Sequence, residues 1–355
     1  MSISRDPLRL SEGDLYSPRV EAYLEEQSVL QRGVPEVEPQ PFLIRLIYSS
    51  YFYLSIASGL GAFLAWMVLE PFYEDRAGDD FHLVNLLMFP TVVGAIGLFL
   101  GAVEGLMCRN LRRALICAVV GLAVGFAGGC VSLIVAGLLF TVAQVIALWF
   151  WKDPQPGKMP TGIAFLVLMM GRALAWSVAA IPAGISQGIA LRERKVFSNG
   201  LIGGVLGGLL GGLLFDPISV VFSHATASRA VGFTMIGLMV GLFVGVVEQW
   251  TKTAWLLMRA GPLAGKQFVI FRNPTVLGSS PKADIYLFKD EAIEPQHALI
   301  HNLGGRFEIE DRDSADGTYV NGVPVRRQVL KAGDQIVLGK TVLEFALKDT
   351  SGSGD

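Results

Sequence analysis

Paired glycines recur every four residues along the segment 198–217, as Gly203-Gly204, Gly207-Gly208 and Gly211-Gly212. Residues i and i+4 lie on one face of an α-helix, so the pattern predicts a helix with a broad groove that carries no side chains. So much glycine destabilises a helix in water. In lipid the backbone must satisfy its own hydrogen bonds, and the helix forms regardless. The bare groove predicts close helix packing, with a pore or a ligand groove as the alternative interpretation.

The composition is that of a polytopic membrane protein. Of the 355 residues 52% are hydrophobic, and the mean hydropathy is +0.49. Only 17% are charged, against about 25% in a typical soluble domain. The net charge of -2 predicts no affinity for nucleic acid. The three cysteines match no zinc spacing or disulfide framework, and the polar N-terminus lacks the basic-then-apolar order of a cleaved signal peptide.

Six apolar blocks follow the polar N-terminus, and each is long enough to span a membrane, which takes about 20 residues. They cover residues 43–69, 84–106, 114–150, 162–191, 199–221 and 230–250. The third block is too long for one straight span. It either tilts and protrudes as one helix, or breaks near Gly128-Gly129 into an interfacial piece and a span that ends at the aromatic residues 149–151.

Basic residues between the blocks predict the orientation of the chain. They cluster after the second, fourth and sixth blocks, at Arg109, Arg112, Arg113, Arg192, Arg194, Lys195, Lys252 and Arg259. The positive-inside rule therefore predicts a multi-pass protein of the plasma (inner) membrane with both termini in the cytoplasm. We expect a polar cytoplasmic tail over 1–41 with a candidate helix at 18–32, a transmembrane domain over 42–251, a linker over 252–265, a soluble domain over 266–348 and a flexible tail over 349–355.

An internal repeat supports the count of six helices. Blocks one, three and five each lead to an acidic residue and a proline, at Glu70-Pro71, Asp153-Pro154 and Asp216-Pro217. Blocks two, four and six each carry a small residue, a glycine and then an acid or amide near their ends, the last of these being Glu104, Gln187 and Glu248. The repeat predicts three glycine-rich helical hairpins that pack as a pseudo-threefold bundle.

Four polar residues within the predicted spans are singled out as candidates for an intramembrane polar site. Glu104, Gln187 and Glu248 are shallow, and they act either as structural anchors or as a polar vestibule or lipid-headgroup site. Arg172 lies deeper, between Gly171 and Ala173, so it must face the bundle, pair with another group or extend to the interface. The sequence does not indicate its partner.

After Gly261-Pro262 the pattern changes to short β-type runs separated by turn signals. The predicted strands cover 267–271, 284–287, 298–301, 307–310, 335–338 and 342–345. Asn321-Gly322 favours a type I′ hairpin turn. The fold class predicted for the whole chain is an all-α transmembrane bundle followed by an all-β sandwich.

The C-terminal quarter resembles a forkhead-associated (FHA) domain, over about residues 267–347. The matching landmarks are Val276-Leu277-Gly278, Ala283-Asp284-Ile285-Tyr286-Leu287, His297-Ala298-Leu299-Ile300, Asp316-Gly317-Thr318-Tyr319-Val320-Asn321-Gly322 and Gly333-Asp334-Gln335-Ile336-Val337-Leu338-Gly339. The resemblance implies a β-sandwich whose loops bind phosphothreonine peptides. It places a peptide-binding face at Ser279, Ser280, Arg312, Ser314 and Asn321, and it implies a buried, hydrogen-bonding role for His297.

The sequence departs from the family pattern at the phosphate-binding positions. The family's Gly-Arg is Gly278-Ser279, its Ser-Arg before the histidine is Glu294-Pro295, and its Thr-Asn-Gly-Thr loop begins with Ala315-Asp316. A phosphate dianion needs a guanidinium and neutral donors, and here it would meet two carboxylates. We therefore predict that the fold is kept and phosphothreonine binding is lost. Arg312 or Lys282 retaining some anion affinity is the alternative.

No metal-ligand spacing, phosphate-binding loop or nucleophile motif is present in the sequence, which predicts no enzyme, no cofactor and no metal. The leading hypothesis is a membrane-anchored signalling adaptor that presents a cytoplasmic FHA-like domain to a protein partner without a phosphate. Membrane lipid and a second copy of the chain are further expected partners. The competing hypothesis is a channel or transporter regulated by the FHA-like domain.

Overall fold

The computed structural model describes residues 41–74, 82–152, 154, 159–222 and 224–348. The helices are α1 Phe42–Ile47, α2 Ser50–Leu69, α3 Leu83–Met107, α4 Leu111–Phe150, α5 Ile163–Ala179, α6 Ile181–Leu191, α7 Arg194–Val221 and α8 Ala225–Thr251. A short 3-10 turn, Glu70–Phe72, extends α2. Six segments are long and apolar enough to cross a membrane, α5 and α6 together forming the fourth. The candidate N-terminal helix and the Asp153 mark of the repeat lie outside the described residues.

The third apolar block forms one continuous helix, α4, of 40 residues. The predicted alternative of a break near Gly128-Gly129 is wrong, because these glycines serve close packing: Gly128 faces Pro182, and Gly129 faces Pro90. The break falls instead in the fourth block, at Ala180 between α5 and α6. Pro182 has no N–H to donate to the carbonyl four residues earlier, which explains the interruption there.

The helices form a closed ring, in which each hairpin contacts the next and α8 returns to α2. The second helices of the three hairpins, α3, α6 and α8, also contact one another. Buried apolar side chains fill the interior, and the rings of Phe89 and Phe233 lie 4.8 Å and 5.9 Å from that of Trp176. The described part of the bundle therefore has a packed core.

The glycine pairs of α7 allow two neighbouring helices to pack closely against it. A Cβ on Gly207 would overlap the backbone of Val240 in α8, and one on Gly211 would lie 2.7 Å from Cα of Ile236. The second member of each pair faces the other way: a Cβ on Gly212 would lie 2.8 Å from Cα of Ala173 in α5. The bare groove is thus occupied by helix backbone on both sides.

The C-terminal part is a sandwich of two sheets. One has the strand order β2-β1-β11-β10-β7-β8, and the other has the order β4-β3-β5-β6-β9. The strands are β1 Ala254–Ala260, β2 Gln267–Val269, β3 Thr275–Gly278, β4 Ile285–Tyr286, β5 Ala298–Leu303, β6 Arg306–Asp311, β7 Thr318–Val320, β8 Val323–Val325, β9 Arg327–Val329, β10 Gln335–Leu338 and β11 Thr341–Leu347. Asn321 and Gly322 have φ of 52° and 82°, the left-handed backbone that a type I′ turn requires.

The prediction of a linker over 252–265 is corrected, because this range contains strand β1. This strand pairs with both β2 and β11, so it lies inside its sheet. Ala254, Leu256 and Met258 alternate inward and are buried in the sandwich core. Its apolar residues directly follow the last span, where they do not stand out as a strand.

Candidate functional site

Three loops meet at one end of the sandwich, which we call the loop end: residues 279–284 after β3, 287–297 before β5 and 312–317 before β7. The Ser279 amide donates a hydrogen bond of 2.9 Å to the Glu294 carbonyl, which joins the first two loops. Gly278 permits this contact, because a Cβ there would overlap the Pro295 carbonyl. The positions predicted as the degenerate phosphate site are therefore neighbours in space.

The Glu294 carboxylate occupies the centre of the loop end. Its Oε1 accepts a hydrogen bond of 2.9 Å from the backbone amide of Ala315, across the second and third loops. Asp316 follows directly in the chain and is half-buried. A backbone donor of the third loop is thus already satisfied by a side chain of the protein itself.

His297 is fully buried and joins the loops from below. Its Nδ1 accepts a hydrogen bond of 3.2 Å from the Glu294 amide. Its Nε2 then carries the proton, and it lies 3.0 Å from Oγ of Ser314 and 3.2 Å from the Gly317 carbonyl. These contacts give His297 a structural role, as the family resemblance implies.

Asp311 anchors the third loop from the end of β6. Its Oδ1 accepts hydrogen bonds from the hydroxyls of Ser314, at 2.6 Å, and Thr318, at 2.7 Å. Burial raises the pKa of Asp311, but the hydrogen bonds from Ser314 and Thr318 outweigh it, and the pKa lies below its ordinary value. Ser314 is predicted on the peptide-binding face, but its hydroxyl donates its hydrogen bond to Asp311 within the third loop.

The remaining predicted positions do not all lie at the loop end. The Ser280 hydroxyl accepts from the Lys282 amide at 3.2 Å, and the side chains of Lys282 and Arg312 are exposed at the loop end. The prediction that Asn321 lies on the peptide-binding face is corrected, because Asn321 lies at the end of β7 away from the loop end. Its side-chain amide donates to Asp334 at 2.9 Å and accepts from the Gln335 amide, which commits it to the sandwich framework.

The first loop of the loop end rests on the helical bundle. Nδ2 of Asn110, in the turn between α3 and α4, donates 2.9 Å to the Pro281 carbonyl. Nη1 of Arg113 donates 3.1 Å to the Asp284 carbonyl. These contacts hold the first loop against the turn between α3 and α4 and the start of α4.

A buried lysine joins the sandwich to the bundle. Lys266, in the β1–β2 connection, is 1% exposed, and its Nζ lies 3.4 Å from Oε2 of Glu104 in α3. The Tyr53 hydroxyl donates to the same carboxylate. Burial lowers the pKa of Lys266, but Glu104 and then Cys108 and Glu248 raise it further, so it lies above the ordinary value. No sequence motif marked Lys266, because its partners are distant in the chain.

Arg172 has a partner in the next hairpin. Its Nε lies 2.8 Å from Oδ1 of Asp216, which is 2% exposed. The guanidinium also packs over the rings of Phe140 and Phe215, at 4.5 Å and 4.9 Å. The arginine therefore faces the bundle and pairs, two of the options open from the sequence.

A second acid of the predicted repeat is also paired. Glu70 accepts from Arg229 at 2.5 Å, and the Arg229 guanidinium packs over the Tyr73 ring. The three marks at the other ends of the hairpins, Glu104, Gln187 and Glu248, line one cavity beneath the sandwich.

Comparison with known proteins identifies the sandwich. A family model described as the FHA domain matches residues 275–339. The glycogen accumulation regulator GarA of Mycolicibacterium smegmatis is 37% identical over 116 residues, which cover 32% of this chain and 73% of GarA. The oxoglutarate dehydrogenase inhibitor of Corynebacterium diphtheriae is 39% identical over 90 residues, 25% of this chain and 62% of that protein, so the match spans less than two thirds of its length.

Solved structures of FHA domains are also among the matches. The FHA domain of the CT664 protein from Chlamydia trachomatis is 28% identical, with a TM-score of 0.25, and the match covers 27% of this chain and 99% of that chain. The FhaA FHA domain complexed with the intracellular domain of Rv3910 is 24% identical, with a TM-score of 0.24, covering 26% of this chain and 99% of that chain.

Proposed function

Because this chain belongs to the FHA-domain family, we propose that it is a membrane-anchored adaptor whose FHA domain binds a protein partner without requiring a phosphate. The observation that carries the proposal is the hydrogen bond from the Ala315 amide to the Glu294 carboxylate, at 2.9 Å. An internal carboxylate takes a donor in the loop where the family's phosphate-binding residues lie.

The charges at the loop end support the loss of phosphate binding. A phosphate carries a charge of about -1.5 to -2 at neutral pH, so it is repelled by nearby carboxylates such as Glu294 and Asp316. Ser279 replaces the family's arginine, which removes the charge-assisted, bidentate contact that such a dianion favours. Phosphate oxygens left without donors lose water without compensation.

The helical bundle supports the anchoring role. Six segments are long and apolar enough to cross a membrane. The FHA domain adjoins the α3–α4 turn, where Arg109, Arg112 and Arg113 lie. Positive charge of this kind marks cytoplasmic connections, which supports a cytoplasmic FHA domain and cytoplasmic termini.

The names of the relatives support an interaction role. They are called a regulator of glycogen accumulation and an inhibitor of oxoglutarate dehydrogenase, which describe proteins acting on other processes or enzymes. We carry over to this chain only the class of function: control through protein contact, without chemistry of its own.

A transporter is the second candidate, favoured by the intramembrane pair of Arg172 and Asp216. Oδ2 of Asp216 is buried and has no hydrogen-bond partner among the described residues. Against this candidate, aromatic and aliphatic side chains fill the interior of the described bundle. A solute pathway requires polar groups along its length, and one ion pair does not provide them.

The test is binding of the full-length chain, reconstituted in nanodiscs, to a phosphothreonine peptide library and to the same peptides without phosphate. We expect no peptide to bind in a phosphate-dependent manner. Phosphate-dependent binding would overturn the proposal and make the protein a membrane-bound reader of threonine phosphorylation. A soluble fragment used for this purpose must begin before Ala254, because β1 lies between β2 and β11.

A further inference from the structure

A cavity of about 240 Å³ lies between the FHA domain and the adjacent end of the helical bundle. We call it the interdomain cavity. Its lining includes Glu104, Arg112, Arg113, Gln187, Glu248 and Arg272. These residues come from four helices and from the FHA domain, so the cavity exists only when the two parts are in contact.

Two acidic side chains of the interdomain cavity lie close to one lysine ammonium. Glu104 and Glu248 both line the cavity, and the ammonium of Lys266 lies 3.4 Å from Glu104. Glu248 accepts a hydrogen bond from Ser50 but forms no ion pair with any described residue. Lys266 lies beside Glu104, so a cationic group of a ligand would give Glu248 the ionic partner that it lacks among the described residues.

The lining also includes the guanidinium of Arg113. Arg113 donates through Nη1 to a neutral acceptor, the Asp284 carbonyl, at 3.1 Å. Its Nε is buried and has no hydrogen-bond partner within the described ranges. Arg272, by contrast, is matched by Glu193 at 2.8 Å and Asp284 at 2.9 Å. A buried charged donor without an acceptor is costly, and an anionic oxygen would satisfy it.

We propose that the interdomain cavity binds a small zwitterionic group, with its ammonium at Glu248 and its anionic oxygens at Arg113. A zwitterion would supply both a cationic partner for Glu248 and an anionic oxygen for Nε of Arg113, whereas a simple cation or anion would supply only one of them. The Tyr48 hydroxyl in the same lining is a further hydrogen-bonding group for such a ligand. The chemistry fits the phosphoethanolamine headgroup of a lipid and a free amino acid alike.

The experiment measures binding to purified, delipidated full-length protein by native mass spectrometry. The lipid probe is phosphatidylethanolamine, with phosphatidylglycerol as the lipid that has the anion but lacks the ammonium. The soluble probes are phosphoethanolamine and glycine, with inorganic phosphate as their anionic control. We expect a zwitterionic probe to bind, and its affinity to fall at least about tenfold in Arg113→Gln and in Glu248→Gln.

Matched controls are Arg306→Gln and Glu291→Gln, which remove the same charges from exposed positions of the FHA domain and should bind as wild type does. Loss of phosphatidylethanolamine binding in the cavity variants assigns a lipid headgroup, and loss of soluble-probe binding assigns a free zwitterion. Thermal unfolding of each variant without ligand shows whether it is folded. If Arg113→Gln fails to fold, the binding result for the isosteric Glu248→Gln decides the test. The proposal is overturned if no zwitterionic probe binds more tightly than its anionic control, or if every folded cavity variant binds as wild type does.

Discussion

Lys266 of the FHA domain and Glu104 of helix α3 form an ion pair, with Nζ and Oε2 3.4 Å apart, across the boundary between the two parts of the protein. The lysine is 1% exposed, so water would not compensate its charge if the pair were broken. The FHA domain is therefore held against the bundle by a contact that includes a buried charge.

Replacing Lys266 by methionine should destabilise the full-length protein by about 3–5 kcal/mol, because the Glu104 carboxylate is left buried without its counter-charge. The measurement is thermal unfolding in detergent. Lys282→Met removes the same charge from an exposed position and should have little effect. The double variant Lys266→Met/Glu104→Gln should recover part of the loss. Equal stability of Lys266→Met and Lys282→Met would refute a structural role for the pair.

The paired glycines of α7 predict that the effect of a Gly→Ala substitution on stability depends strongly on its position. Gly207→Ala should destabilise the bundle by about 1–3 kcal/mol, because the added methyl group overlaps the backbone of Val240. Gly137→Ala is the matched control, since nothing lies within 4 Å of a Cβ there. That change should be neutral or should stabilise the helix by up to about 1 kcal/mol. Denaturation in detergent distinguishes the two, and equal effects would argue against close packing along α7.

Variants of the Arg172–Asp216 pair distinguish the adaptor hypothesis from the transporter hypothesis. Arg172→Leu should destabilise the bundle, because Asp216 is 2% exposed and loses its counter-charge, and Arg172→Leu/Asp216→Leu should restore much of the stability. The adaptor account predicts no solute flux in liposomes for wild type or either variant. Reproducible flux that disappears in Arg172→Ala would reject a purely structural role for this pair.

Asp311 makes the loop end sensitive to acid. Its pKa is lower in the folded protein than in the unfolded chain, so its contribution to stability is complete above the ordinary aspartate pKa of about 4 and is lost as the pH falls through the lower folded value. Asp311→Asn should therefore unfold at a lower temperature than wild type at neutral pH. The difference should shrink as the pH is lowered below about 4. A difference independent of pH would exclude the carboxylate charge as its cause.

Local patterns in the sequence were enough for the six spans and for the FHA fold. Hydropathy reports burial in lipid directly, and turn residues such as Asn321-Gly322 report backbone geometry, which the positive φ values confirm. Strand β1 was missed because it is a short apolar run that begins only three residues after the end of α8, and it was assigned to the linker. Of the two alternatives for the third block, the continuous helix is found, and the break lies instead near Pro182, where a hydrogen-bond donor is absent.

Long-range pairs could not be predicted from the sequence. Lys266 meets Glu104 from 162 positions away, and Arg172 meets Asp216 from 44 positions away, so only the folded packing of the helices brings them together. The interdomain cavity has the same origin. Within the loop end, the substitution of Glu294 for the family's serine was visible, but its bond to the Ala315 amide required the fold.

The central claim is that the Glu294 carboxylate occupies a donor of the phosphate-binding loop, and calorimetry on the full-length protein tests it most directly. The ligands are a phosphothreonine peptide that binds a phosphate-reading FHA domain and its unphosphorylated twin. The account predicts that wild type does not distinguish them, whereas Ser279→Arg/Glu294→Ser/Asp316→Asn prefers the phosphorylated peptide by about tenfold or more. A preference of that size in the wild-type protein would contradict the account.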